Sequence, residues 1–139
     1  MKLELHATPE EVMRGVDALR DFAAAHGVPE QTIFGLSLAL EECGSNIVNH
    51  ALQRDAQRTF LVILERTRDG FVIELQDDGP EFDPTAAASF TQRTADRDTP
   101  GGWGIELVRR NTDEVRYRRE AGRNVLRLTR RLVSAPGGE

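Results

Sequence analysis

The order of periodicities along this 139-residue chain predicts an α+β fold: a two-layer α/β sandwich whose mostly antiparallel sheet is covered on one face by helices. Three observations predict it. Helical spacing fills the first third of the chain after a short opening strand and returns after Gly104. Period-two alternation comes in two pairs of neighbouring segments, each pair joined by a short turn. Strands do not alternate with helices in the way that parallel βαβ units require.

Taken in order, residues 2–6, KLELH, alternate and make a short strand. Thr8-Pro9-Glu10-Glu11 starts a helix, with Thr8 as cap, Pro9 at the first helical position and Glu11 three residues after the cap. Val12, Val16, Leu19 and Ala23 form its apolar face, and Gly27 stops it. Pro29 opens a second helix that continues to Ala51, followed by a polar connector over 52–58. TFLVILERT and FVIELQD are strands joined across Arg68-Asp69-Gly70, whose Asp-Gly is a hairpin signal. After DDGPEFDP come a small helical patch around Ala86 to Ser89 and an irregular polar stretch, 91–103, of the kind that serves as a lid or stays disordered. GIELVRRNT is helical again. EVRYRRE and NVLRLTRRL, joined over Ala121-Gly122-Arg123, form a second hairpin. The expected domain is 1–133, with 134–139 as a frayed tail.

Composition narrows the function. One domain of this length buries a single core. The net charge is −5 with Arg and acidic residues interleaved, so no basic stripe points to a nucleic-acid partner. The single cysteine, Cys43, excludes a disulfide framework or a multi-Cys zinc site, and its place on an apolar stripe reads as a structural thiol. No run approaches the roughly 18 apolar residues of a membrane span, and no signal peptide opens the chain, so a cytoplasmic location without a membrane partner is expected.

The rest of the chain serves LSLALEECGSNIVNHA, residues 36–51. Leu36, Leu40, Cys43 and Ile47 make one buried stripe. Glu42 and Asn46 stand one turn apart, about 40° apart around the axis, and with Gly35 and Asn49 they form a second stripe. Carboxylate and amide oxygens are hard donors that suit Mg²⁺ or proton transfer better than zinc or copper, although a solvated helix face has the same composition. Asp77 closes a strand and Gly79 follows, which places a fixed acceptor where a ligand can approach the backbone; alone, the motif equally reads as a turn. PGGWGIEL opens a helix through glycines, giving either an anion site of backbone N–H groups or a helix-entry turn. No GxxxxGK[ST], HRD or DFG motif is present.

In combination these elements resemble the N, G1 and G2 boxes of the GHKL ATPase superfamily, whose members include gyrase, Hsp90, MutL and histidine-kinase ATPase domains. The nearest branch is the stand-alone anti-sigma-factor serine kinases. LALEECGSNIVNHA resembles the N box, DDGPEFDP the G1 box, and GGWGIELVRRNT with the final strand pair the G2 region, so that the likeness runs from Leu3 to Leu132. The resemblance implies a Bergerat ATP-binding fold, ATP and Mg²⁺ as cofactors, and a set of roles. Glu42 would be the general base, Asn46 the Mg²⁺ ligand and Asp77 the adenine reader with Gly79 beside it. Gly102, Gly104 and Ile105 would lie at the phosphates beneath a lid formed by 91–103, and His50 would end the N box. It further implies a STAS-type anti-anti-sigma protein as phosphoryl acceptor, a sigma factor as sequestered partner, and a homodimer.

Three positions depart from the family pattern. Glu81 stands where the G1 box has a second glycine and brings negative charge toward the triphosphate; Glu106 occupies a commonly small position; Trp103 sits between the G2 glycines. Glu81 and Glu106 motivate an alternative, a non-catalytic nucleotide-binding partner-switch module. A sensor histidine kinase is disfavoured, because the first strand and helix occupy the place where a phospho-acceptor helix would be expected.

Overall fold

A computed structural model of the chain describes residues 1–86 and 104–132. The expected lid, Gly102, Trp103, the tail and the helical patch beyond Ala86 lie outside the described residues. The elements are β1 (Lys2–His6), α1 (Pro9–Ala25), α2 (Glu30–Asn46), β2 (Thr59–Arg66), β3 (Gly70–Asp77), α3 (Gly104–Arg110), β4 (Glu114–Glu120) and β5 (Arg123–Arg131). The strands form one sheet in the order β1-β2-β3-β5-β4, with every neighbouring pair antiparallel. The expected α+β sandwich is present.

The second hairpin enters the sheet through its later strand, and the sequence explains why. β5 buries Val125 on one face and Leu126 and Leu128 on the other, whereas β4 carries Arg116, Arg118 and Arg119 and is exposed at most positions. The doubly apolar strand takes the interior place and the charged one the edge. That insertion pairs Asp77 with Asn124 across β3 and β5.

Alternation directs Phe60, Val62 and Leu64 of β2, Phe71, Ile73 and Leu75 of β3, and Leu126 and Leu128 of β5 into one core with Leu19, Ala23, Leu36 and Leu40 of the helices. α1 begins as its sequence requires: the Thr8 hydroxyl accepts the Glu11 N–H at 3.1 Å, a cap worth about 1 kcal/mol. The Glu11 carboxylate reaches past the cap residue to the His6 N–H, 3.1 Å away. Gly27, with φ 76°, ends the helical stretch. Among the described residues no helix is long and apolar enough to cross a membrane.

The two hairpins invert the expected turn chemistry. Ala121 and Gly122 both have positive φ, 51° and 78°, the conformation of a type I′ turn. Asp69-Gly70 does not adopt it. Gly70 is required for another reason, since a Cβ there would stand 2.5 Å from the Arg130 carbonyl on β5.

Candidate functional site

α2 does not continue as α-helix to Ala51. After Asn46 the backbone widens into a π-helical turn, Ile47–Ala51, with the Leu52 N–H bonded to the Ile47 carbonyl at 2.8 Å. Gln53 and Arg54 then take positive φ, 52° and 59°. Such turns frequently mark functional sites. This one takes Asn49 off the second stripe: its amide oxygen accepts from Arg54 Nε at 2.8 Å on the exposed side. Gly35 leaves the stripe by a different route, because a Cβ there would come within 2.5 Å of the Asn111 side chain beside α3. Glu42 and Asn46 remain.

Asn46 and Asp77 line a common cavity. Its walls are apolar, with Cys43, Ile47 and Ala51 from the α2 side, Leu75 and Leu126 from the sheet, and Phe82 and Pro84 as a lip. The space open to the centre of a water molecule is about 30 Å³, the measure of a thin slot and not of an open bowl. Cys43 is thus a wall of the slot as well as a buried member of the core.

Asp77 is the buried acceptor at the foot of this slot, 3% exposed. Its Oδ1 accepts from the Gly79 N–H and from Asn124 Nδ2, each at 2.9 Å. Among the described residues nothing donates to Oδ2. A buried carboxylate oxygen without a donor is costly, so the slot is suited to a ligand that presents an N–H there. Gly79 must be glycine because a Cβ would meet the Ala51 carbonyl at 2.5 Å; the loop after β3 and the end of the π turn touch through their backbones.

Asn124 organises the surroundings. Its Nδ2 also donates to the Pro80 carbonyl at 2.9 Å, while its Oδ1 accepts from the Phe82 N–H at 3.1 Å, Tyr117 OH at 2.5 Å and Arg119 Nη1 at 3.1 Å. Arg119 Nη1 further donates to the Gly79 carbonyl at 2.8 Å. Sequence reasoning passed over Asn124, Tyr117 and Arg119, although one signal was present. Asn124 shares the inward face of β5 with Leu126 and Leu128, and an amide on a buried apolar face needs partners.

Glu42 sits elsewhere. Its carboxylate abuts Gly104 at the head of α3, where any Cβ would collide with it. It lines a separate, open recess of about 300 Å³ together with Glu106, Leu107 and Arg110. The three residues singled out by sequence therefore do not share one cavity: Asn46 and Asp77 do, and Glu42 lies one helical turn away on the α3 side. Ile105 is buried in the core at 4% exposure, so only its backbone can face a ligand. Gly102 lies outside the described residues.

The departures find places. Glu81 is exposed and does not line the slot. Burial, and after it the Glu81 charge, push the Tyr117 phenol above its ordinary value. Glu106 is half-buried and lines the open recess with Glu42. His50 stacks on Phe82 at the lip, ring centroids 6.1 Å apart.

Comparison with known proteins bears on this geometry. Residues 5–130 match the family described as histidine kinase-like ATPase domain. Over 97 residues the chain is 36% identical to a serine/threonine-protein kinase, BtrW, of Bordetella bronchiseptica, a match covering 69% of this chain and 68% of that protein. It also superposes on a chain of the SiaB–SiaC complex of Pseudomonas aeruginosa with a TM-score of 0.67, covering 93% of this chain and 88% of that one at 16% identity. At that identity the likeness concerns the fold alone.

Proposed function

The chain belongs to the histidine kinase-like ATPase domain family, and on that premise we propose that it binds ATP in the Asp77 slot and transfers the γ-phosphoryl group to a serine of a partner protein. One observation carries the reading. Asp77 is buried in an apolar slot with one oxygen tied by Gly79 and Asn124 and the other open to a donor. Adenine presents an exocyclic amine to such an acceptor, whereas guanine has a carbonyl oxygen at that position, so the slot selects ATP over GTP. The kinase activity named for the Bordetella relative supports the transfer step.

The remaining roles follow the chemistry of the side chains. The Asn46 amide lines the slot and has no hydrogen-bond partner among the described residues. Among those residues no group of three His, Cys, Asp or Glu stands ready to hold a metal. Such a donor set suits Mg²⁺, which binds through one or two protein oxygens and completes its shell with phosphate and water. When bound, Mg²⁺ would neutralise charge on the phosphates during transfer. Glu42, beyond Asn46 on the α3 side, would take the proton of an entering hydroxyl, a contribution of about 10²–10⁴ in rate. Gly104 and the Ile105 backbone, with Gly102, would face the phosphates. The acceptor in this reading is a STAS-type anti-anti-sigma protein, the sequestered partner a sigma factor, and the working form a homodimer.

The test is incubation with labelled ATP and STAS-type proteins, followed by phosphoamino-acid analysis. Phosphoserine on one of them is the expected result. ATP binding without transfer to any of them would instead support the non-catalytic partner-switch module, which the position of Glu42, opposite Glu106 and outside the slot, specifically favours.

A further inference from the structure

We propose that Arg58 and Arg119 are positioning residues for base selection: from opposite sides of β3 they hold the turn after Asp77 by its carbonyls, and the preference for an adenine amine depends on them. The inference rests on the ATP reading above and adds two residues that lie outside the slot.

The turn has no backbone scaffold of its own. From Asp78 to Phe82 it makes no backbone–backbone hydrogen bond among the described residues, so side chains set its shape. Three successive carbonyls each accept from a different element. The Asp78 carbonyl accepts from Arg58 Nη2 at 3.3 Å, that of Gly79 from Arg119 Nη1 at 2.8 Å, and that of Pro80 from Asn124 Nδ2 at 2.9 Å. Arg58 stands just before β2 and Arg119 lies on β4, so the two guanidiniums approach from opposite sides of β3. Neither lines the slot; both act through the turn.

Two short paths lead from these arginines to Asp77. The peptide group between Asp78 and Gly79 offers its carbonyl to Arg58 and its N–H to Asp77 Oδ1, 2.9 Å away. A cation at the carbonyl end polarises that peptide and strengthens its N–H as a donor. Arg119 acts on the other donor. The same Nη1 that reaches the Gly79 carbonyl also reaches Asn124 Oδ1 at 3.1 Å, and Asn124 Nδ2 is the second group bonded to Asp77 Oδ1. Each arginine therefore stands behind one of the two bonds that tie Oδ1 and leave Oδ2 to the ligand. Bonds from an ionised donor are about twice as strong as neutral ones, which suits a turn that lacks backbone bonds.

Arg58 is itself aimed. Its Nη2 lies 2.8 Å from Asp78 Oδ1 in an ion pair at the surface. Such a pair adds little to stability; its effect here is to keep the guanidinium on the Asp78 carbonyl.

The experiment compares, by calorimetry on the full chain, the binding of ATP and of ITP, whose base has a carbonyl oxygen in place of the adenine amine. Wild type should prefer ATP. Arg119→Ala should weaken ATP binding about tenfold and leave ITP within about twofold, so the preference falls with it. Arg119→Lys, whose ammonium has donors enough for both acceptors, should recover most of the preference. Arg58→Ala and Asp78→Ala should each lower the preference about threefold, and the double variant no further, because both break the same contact. An equal loss for ATP and ITP in Arg119→Ala, or a preference left unchanged, shows a merely structural role and overturns the proposal while the ATP reading stands. A wild type without preference for ATP overturns the base reading itself, and the positioning role with it.

Discussion

The two halves of the candidate site are built differently. On the slot side Asp77, Gly79, Asn124, Tyr117 and Arg119 are joined by hydrogen bonds between β3, β4, β5 and the loop that follows β3. On the α3 side Glu42, Glu106 and Arg110 stand around an open recess, and neither Glu106 nor Arg110 makes a bond among the described residues. Reading a base rewards a rigid acceptor, because any freedom in Asp77 weakens discrimination between an amine and a carbonyl. In the proposed function, receiving a protein acceptor would reward the opposite, an open recess. The contrast teaches that one helix, α2 (Glu30–Asn46), can border both sides through residues one turn apart. α2 carries Glu42 on its regular part and Asn46 at the start of the π turn.

The largest expected effect tests the open side. Glu42→Gln should lower the rate of phosphoryl transfer by about 10²–10⁴ while ATP affinity in calorimetry changes little; a transfer rate within a factor of a few of wild type would remove Glu42 from the chemistry. On the rigid side Asp77→Asn should weaken ATP binding by about 10², because a carboxylate oxygen facing the amine becomes an amide. If ATP still binds as tightly, Asp77 is not the base reader.

Asn124→Ala sharpens the claim of rigidity. It removes the Asn124 bonds to the Phe82 N–H, the Pro80 carbonyl and Asp77 Oδ1, leaving Oδ1 held by the Gly79 N–H, so it should cost about 3 kcal/mol in urea denaturation and weaken ATP binding as well. A loss of stability alone would show the network to be structural only. The smallest effect is spectroscopic. Tyr117 is the single tyrosine of the chain, and burial first, then Glu81, raise its ionisation above the ordinary value of 10.0. A group raised in the folded state adds stability that is complete below its unfolded pKa and is lost as pH climbs through the folded one. Absorbance titration of the folded protein should therefore give a midpoint above that of free tyrosine. Glu81→Gln should lower the midpoint without returning it to the free value; no movement would place Glu81 away from the lip.

Much of this was legible in residue order. The Thr8 cap, the Val12-Val16-Leu19-Ala23 face, the stripe through Leu36, Leu40, Cys43 and Ile47, and the Ala121-Gly122 hairpin follow from local rules that act within a few residues. Chain order also indicated the candidate residues Glu42, Asn46 and Asp77. What eluded it depends on contacts made far away in sequence. Gly70 is glycine because of Arg130, Gly79 because of Ala51, and Gly104 because of Glu42. Each looks in sequence like a turn or a phosphate-loop residue. Asn124 becomes the partner of Asp77 only because β5, and not β4, lies against β3.

The sequence by itself determined the elements, their inward faces and the residues with chemistry to offer, because periodicity, caps and donor types are local properties. Only the tertiary structure decided that Asn46 and Asp77 share a slot while Glu42 opens on a separate recess. That separation comes from the close approach of Gly79 to Ala51 on the slot side and from α3 packing on Gly35 and Glu42. Both are set by how the layers pack, and no spacing along the chain encodes it.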